Sequence, residues 1–307
     1  MVKLNKILVI FDEKNEQQTA MERALELARL TGARIHIIAT IFSTLNFSYS
    51  QLQIDTESIL RDSLQGRLSN ELKKFIASLD NSDIDISYET LWSPRPAIDI
   101  AEICANQSFD LLIKTANKHH LFDGIFHTPL DWHLLRECAC AVMLVSNNNH
   151  TSDSPLIVAI DANTDDQAHS NLNDKLLHTA SFISELFNNQ ILAVNACPPL
   201  PVMTDLEYAS VDPASYLTDM KKVALENTMK VVEDYNLDES NIKILEGIPE
   251  EIIPEFAEKI DSRLIILGTV SRSGLNGMFM GNTAEQLLHN LQCDILAIKP
   301  DNVEVTN

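Results

Sequence analysis

The segment richest in potential chemistry is Gly268-Thr-Val-Ser-Arg-Ser-Gly-Leu-Asn-Gly-Met-Phe-Met-Gly-Asn-Thr283, which follows an apolar run and precedes a helical pattern. Glycines let a backbone approach a phosphate, and N–H groups at the start of the next helix complete an anion site. Asn282 and Thr283 are placed to cap that helix and to donate to a phosphate oxygen. A plain turn before a helix would use the same glycines, so this spacing alone leaves both readings open. A second group, His119, His120, His127 and His133 with Asp123 and Asp131, offers imidazoles and carboxylates of the kind that hold zinc. No HxxxH or HExxH spacing puts them on one face, and a solvated, partly capping loop is the competing state. No GxSxG elbow, Walker loop, SGGxDS-type loop or synthetase signature is present, which argues against a dedicated enzyme.

The elements that must position these residues occur twice. A chain of 307 residues suits two domains of roughly 150 residues. Lys6-Ile-Leu-Val-Ile-Phe-Asp12 matches Pro155-Leu-Ile-Val-Ala-Ile-Asp161 at an offset of 149. An offset of 154 aligns Thr115 with Thr269, Asp131 with Glu285 and Leu134 with Leu288. The difference is assigned to extra sequence around His169 to Asp174, before the first helix of the second copy. Short apolar runs predict strands at Ile7–Phe11, Ile35–Ile41, Ile84–Leu91, Leu111–Thr115 and Val142–Val145. In the second copy they fall at Leu156–Ile160, Ile191–Asn195, Ile242–Leu245, Leu264–Leu267 and Ile295–Ile298. Helical periodicity fills the gaps, from Gln17–Thr31 (with Leu30 on its stripe and Gly32 as C-cap) and Thr56–Leu79 (with Ile59 on its stripe) to Ala284–Leu291. Such alternation predicts an α/β fold of two tandem, doubly wound, parallel five-stranded sheets, over residues 1–148 and 154–302. Ligands then belong at the carboxyl ends of the strands, where the strand order reverses.

A formal charge of −21 argues against nucleic acid or acidic lipid as a partner. No apolar run is long enough to span a bilayer and the N-terminus lacks a leader pattern, so a cytoplasmic protein is expected. The five cysteines are odd in number and contain no CxxC pair. Cys138-Ala-Cys140 reads as the approach to a buried strand rather than a redox or metal site.

The loop from Gly268, the duplication and the strand order together resemble the universal stress protein family, in its tandem E type. The family's nucleotide loop reads Gly, two residues, Gly, nine residues, Gly, then Ser or Thr. Gly268 and Gly281 fill the first and third glycines around Thr269 and Arg272–Met280, whereas Ser271 replaces the second Gly and Asn282 stands where the hydroxyl is due, with Thr283 one step later. The resemblance implies the adenine-nucleotide alpha hydrolase-like fold, with the last strands of the two domains meeting as an intramolecular pseudo-dimer. It also implies Asp161 near adenosine and the Val194 backbone at adenine, although an Asp at a strand end can equally cap the next turn. In the first copy, offset 154 puts Lys114, Asn117 and His127 at the three glycines, and Pro129 removes an N–H. That half is expected not to bind ATP, though Lys114 and Lys118 could attract another anion. The implied function is non-catalytic: binding ATP, AMP or another phosphate-containing small molecule in the C-terminal half, in support of survival under starvation, oxidative or DNA-damaging stress. The alternatives are a carrier of a non-nucleotide ligand or a protein-interaction scaffold, and a slow ATPase using Mg²⁺ at Asp161 and Asp165. A homodimer is compatible with each. The long connection from Pro198 to Pro213, with Leu200, Val202, Met203 and Tyr208, could lie across a ligand cleft or serve as a stiff linker.

Overall fold

The computed structural model describes residues 3–13, 15, 17–41, 54–80, 83–116, 129–148, 150–151, 153–163, 167–197, 212–269 and 293–300. The chain divides into two compact units, Lys3–Asn147 and Asn148–Asn307. The first runs β1 (Lys6–Phe11), α1 (Thr19–Thr31), β2 (Arg34–Ile41), α2 (Ile54–Ser78), β3 (Ile86–Trp92), α3 (Pro96–Gln107), β4 (Leu111–Thr115), α4 (Pro129–Glu137) and β5 (Ala141–Val145). The second runs β6 (Leu156–Ile160), α5 (Gln167–Phe187), β7 (Ile191–Cys197), α6 (Pro213–Val232), β8 (Ile242–Glu246), α7 (Pro249–Lys259), β9 (Leu264–Gly268) and β10 (Asp294–Ile298). Within the first unit the strand order is β3-β2-β1-β4-β5, and within the second β8-β7-β6-β9-β10, with every pairing parallel. The order therefore reverses between β1 and β4, and again between β6 and β9. Those central strands are apolar almost throughout because helices cover both of their faces.

Local sequence explains the boundaries. Gly32 ends α1 at φ 74°, where it donates its N–H to Ala28, a left-handed turn that favours glycine. Pro96 and Pro249 open α3 and α7 at a position whose N–H would be unbonded in any residue. Asp212 caps α6 by accepting from Ala214 and Ser215. Two expectations change. Leu30 is 50% exposed and Ile59 68% exposed, so the apolar stripes of α1 and α2 are narrower than periodicity implied. The extra sequence of the second copy does not precede its first helix. It forms the opening turns of α5, which begins at Gln167 and runs for 21 residues against 13 in α1. The helix expected at Ala284–Leu291 lies outside the described residues.

The register of the two sheets corrects the alignment of the copies. Asp12 and Asp161 are each gripped by a helix amide. Gln18 accepts from the Asp12 N–H and donates to its carbonyl, and Asn173 does the same for Asp161. With that equivalence fixed, Ile7 pairs with Leu111 as Leu156 pairs with Leu264. Thr115, not Lys114, is then the counterpart of Gly268, and Lys114 matches Leu267. The one-residue shift reverses which face of the sheet each side chain takes.

Candidate functional site

At the carboxyl edge of the second unit, β6, β7 and β9 bring a connected set of polar groups together. Asp161 leaves β6, and its Oδ1 accepts the Asn163 N–H at 3.1 Å in a tight turn. Asn163 donates its side-chain amide to Asn195 Oδ1 (3.1 Å) and to the Ala196 carbonyl (3.3 Å). Asn195 in turn donates to Thr228 Oγ1 at 3.0 Å, and that hydroxyl donates to the Ala224 carbonyl. Asn195 and Thr228 are buried, so satisfying both groups inside the protein avoids a desolvation cost of about 1–3 kcal/mol each. Sequence analysis missed this network. Its one legible signal was an Asn inside the otherwise apolar strand Ile191–Cys197.

Val194 does not lie beyond its strand. It is fully buried within β7, paired with Ala159 on one side and Lys243 on the other, three residues before the strand ends at Cys197. The backbone that reaches the edge belongs to Ala196 and Cys197. Gly268 does sit at the end of β9. A Cβ placed there would overlap Leu172 Cδ2 and stand 3.1 Å from Leu172 Cγ, so the missing side chain is taken up by α5 packing. Thr269 is tied to β10 through its N–H, which donates to Ile298 O at 3.1 Å, and its hydroxyl leans on the same oxygen. Ser271, Arg272, Gly281, Asn282 and Thr283 lie outside the described residues. So do Asp165, the connection carrying Leu200, Val202, Met203 and Tyr208, and the zinc candidates Asp123, His119, His120 and His127.

The equivalent edge of the first unit is closed by its own side chains. Thr115 Oγ1 meets Thr19 Oγ1 at 3.1 Å and accepts the Ala20 N–H at 3.1 Å, while Thr19 donates to Asn147 Oδ1. On the opposite face of β4, Lys114 forms a buried ion pair with Asp131 of α4 at 2.7 Å and donates to the Thr115 carbonyl at 2.8 Å. Both side chains are almost fully enclosed, at 4% and 3% exposure. Asp131 Oδ1 meets Lys114 off the angle of a hydrogen bond and relies on its charge. Lys114 is therefore engaged internally and is not the anion receptor that the sequence allowed. Asp131 is likewise withdrawn from the zinc set, and His133 stands exposed on α4. Among the described residues, no group of three or more His, Cys, Asp or Glu could hold a metal ion, and no helix is long and apolar enough to cross a membrane.

A separate cleft of about 720 Å³ runs along α5 toward the amino edge of the second sheet, between that helix and the 3₁₀ turn Glu233–Tyr235. Asp174, His178 and Tyr235 line it. The Tyr235 hydroxyl donates to Asp174 at 3.3 Å, and burial together with the Asp174 carboxylate pushes the phenol up to about 12.

Comparison with known proteins agrees with the duplicated architecture. The model of the universal stress protein family matches residues 3–146 and again 155–299. Universal stress protein E of Salmonella typhi is 30% identical over 309 residues, covering 99% of this chain and 97% of its own length. The homolog in Haemophilus influenzae is 27% identical over 304 residues, with 97% and 98% covered. Among solved structures, a functionally unknown protein of Pseudomonas aeruginosa PAO1 superposes with a TM-score of 0.72 at 23% identity, over 97% of this chain and 93% of that one. A universal stress protein of Archaeoglobus fulgidus superposes at 0.65 and 16% identity, with 97% of each chain covered. Two matches to one family model, end to end along a chain built as two copies of one sheet, establish that this chain belongs to the universal stress protein family.

Proposed function

We propose that the chain is a non-catalytic stress-response protein that binds a phosphate-bearing small molecule, ATP or AMP in the first instance, at the carboxyl edge of its second unit. The observation supporting this reading is Asp161. Its carboxylate stands at the point where strand order reverses, held in place by the Asn173 grip on its backbone and the Asn163 turn on its side chain. A fixed carboxylate beside a strand end suits the hydroxyls of a sugar, and the Gly268–Thr283 segment follows from the adjacent strand. Thr115, Thr19 and Asn147 satisfy one another at the first unit's edge, which supports assigning the ligand to one unit only.

Two experiments test the assignment. Mass spectrometry of small molecules released from the purified chain should return a nucleotide. Calorimetry with ATP and AMP should give saturable binding that Asp161→Asn weakens about 10- to 100-fold, the loss of a charged hydrogen bond. Gly281→Val should weaken it as well, because a side chain would block backbone approach, whereas Thr115→Ser should leave it unchanged. Binding indifferent to both Asp161 and Gly281 would overturn the site. The competing reading, a scaffold or carrier of a non-nucleotide ligand, draws on Leu172 occupying the bare side of Gly268. It predicts no nucleotide in either measurement. Phosphate release with Mg²⁺ that Asp161→Asn abolishes would instead make the protein a slow ATPase.

A further inference from the structure

A serine, a histidine and a glutamate from two neighbouring strands of the first unit meet on one face of its sheet. β2 pairs with β3 so that His36 stands opposite Ser87. Side chains alternate faces along a strand, so Glu89, two residues on, shares the face of Ser87 and lies diagonal to the same imidazole. The Ser87 hydroxyl is 2.8 Å from His36 Nδ1, and Glu89 Oε1 is 3.5 Å from His36 Nε2. Phe109, between α3 and β4, stacks on the imidazole with ring centroids 5.9 Å apart. The ring is thus fixed at both nitrogens and on one face. His36 Nε2 and Glu89 Oε1 are shielded from solvent, and neither has a hydrogen-bond partner among the described residues. The carboxylate therefore favours a proton on Nε2, which leaves Nδ1 to accept the Ser87 O–H. Ser87 itself is exposed, on the strand that ends the first unit's sheet. A hydroxyl bonded to an imidazole whose far nitrogen faces a carboxylate is the arrangement that activates a serine.

We propose that Ser87 is an activated nucleophile that accepts the acyl group of activated carboxylic esters, with His36 as its base and Glu89 positioning the ring. The Ser87 Oγ attacks the ester carbonyl carbon while its proton passes to His36 Nδ1. A C–O bond forms and the carbonyl becomes a tetrahedral oxyanion. The Glu89 carboxylate faces the imidazolium so formed and stabilises its charge. When the intermediate collapses, the bond to the leaving alcohol breaks, and that oxygen takes the proton back from His36. One ester and one serine become one acyl-serine and one alcohol, with no net change in charge or oxidation state. A donor for the oxyanion stands beside the nucleophile. The Ile35 N–H donates to the Asp85 carbonyl and the Ser93 N–H to the Ile41 carbonyl, so the N–H groups of Ser87, Glu89 and Leu91 point to β2. The Tyr88 N–H points the other way, to the open edge next to Ser87. The transfer is a modification of the chain, one acyl group each, in the unit to which no ligand is assigned. It stands or falls apart from the reading of the second unit.

The test exposes the full chain at neutral pH to p-nitrophenyl acetate, with an acid quench and peptide mapping by mass spectrometry. The expected result is an early release of one p-nitrophenolate per chain, matched by one acetyl group on Ser87. Ser240 is the internal control: its hydroxyl is exposed and donates to a carboxylate, Asp238, instead of an imidazole, so it should stay unmodified. Ser87→Ala, a change at an exposed position, should remove the burst and leave the melting temperature unchanged. His36→Ala should slow acylation of Ser87 at least about 100-fold. Free imidazole should restore part of that rate, read as acetyl on Ser87 because imidazole also cleaves the ester by itself. Glu89→Gln should slow acylation about tenfold, the size of a lost charge contact near the surface. It should change nothing in the His36→Ala background, because Glu89 acts only through the ring. Acetyl groups confined to lysines, Ser87 labelled no faster than Ser240, a His36→Ala rate equal to wild type, or a Glu89→Gln effect that persists without His36 would each overturn the proposal.

Discussion

The ends of β4 and β9 hold the same place in two copies of one sheet, and they are built from opposite materials. In the first copy Thr115 points a hydroxyl at the start of α1 and binds both Thr19 and the Ala20 N–H. In the second, Gly268 presents no side chain, and Leu172 of α5 moves into the space. One residue earlier, on the other face, Lys114 and Asp131 form a buried ion pair where the second copy has Leu267. Around these differences both copies keep the same amide grip on the aspartate that ends the first strand. Duplication has left the frame of the edge unchanged and varied what fills it. A polar, self-satisfied edge and a glycine-ended one are both compatible with the fold, so the difference bears on what each edge can receive.

The largest effect should come from unmaking the ion pair. Lys114→Leu copies the second unit's residue but leaves Asp131 buried without its cation, and should cost about 3–5 kcal/mol in denaturant unfolding. Lys114→Leu with Asp131→Leu should recover most of that, because an apolar pair of similar volume needs no desolvated charge. If the double variant is as unstable as the single, Lys114 matters through its bond to the Thr115 carbonyl, and Leu267 is not its functional equivalent.

Gly268→Ala comes next. The new methyl overlaps Leu172, a collision at the mobile end of a side chain, and should destabilise by about 1–3 kcal/mol. In a Leu172→Ala background the same change should cost much less, and the difference between the two is the coupling energy of the contact. A cost that ignores Leu172 would mean the glycine is there for the backbone beyond it rather than for α5 packing. The amide grips follow: Gln18→Ala and Asn173→Ala each remove paired bonds to a strand end and should each cost about 1–2 kcal/mol. Near-equal losses would sharpen the claim that this part of the edge is common to both copies. A loss confined to one would break it.

These contrasts mark what could be read from the sequence. The strands were legible because a parallel strand covered on both faces must be apolar along its length, and Ile7–Phe11, Leu156–Ile160 and Leu264–Leu267 are. The register was not. Aligning Thr115 with Thr269 looked natural, and a slip of one residue preserves the apolar run while exchanging its faces, so Lys114 was set at a ligand edge when it points toward α4. Asp161 and Gly268 were found because strand ends in a doubly wound sheet are where ligands bind. Asn163, Asn195 and Thr228 were missed because their bonds join segments about 30 residues apart.

The smallest effect concerns one helix position that the copies use differently. Aligned by the amide grips, Thr19 matches Asp174. Thr19 turns to the sheet edge, whereas Asp174 accepts the Tyr235 hydroxyl beside the α5 cleft. Burial, with the Asp174 carboxylate behind it, raises this phenol from its ordinary value near 10 to about 12. A raised value in the folded state favours the protonated form, so the contribution is complete below pH 10 and is lost as pH rises through 12. Tyr235 is half-buried at the side of an open cleft, where solvent still screens the Asp174 charge, so the contribution is roughly 0.5 kcal/mol or less. Unfolding free energies of wild type and Tyr235→Phe should therefore differ by a constant up to pH 10 and converge between pH 10 and 12. Parallel curves across that range would mean that Asp174 and Tyr235 are neighbours without coupling, and the second copy would have gained nothing at this position beyond a wider groove.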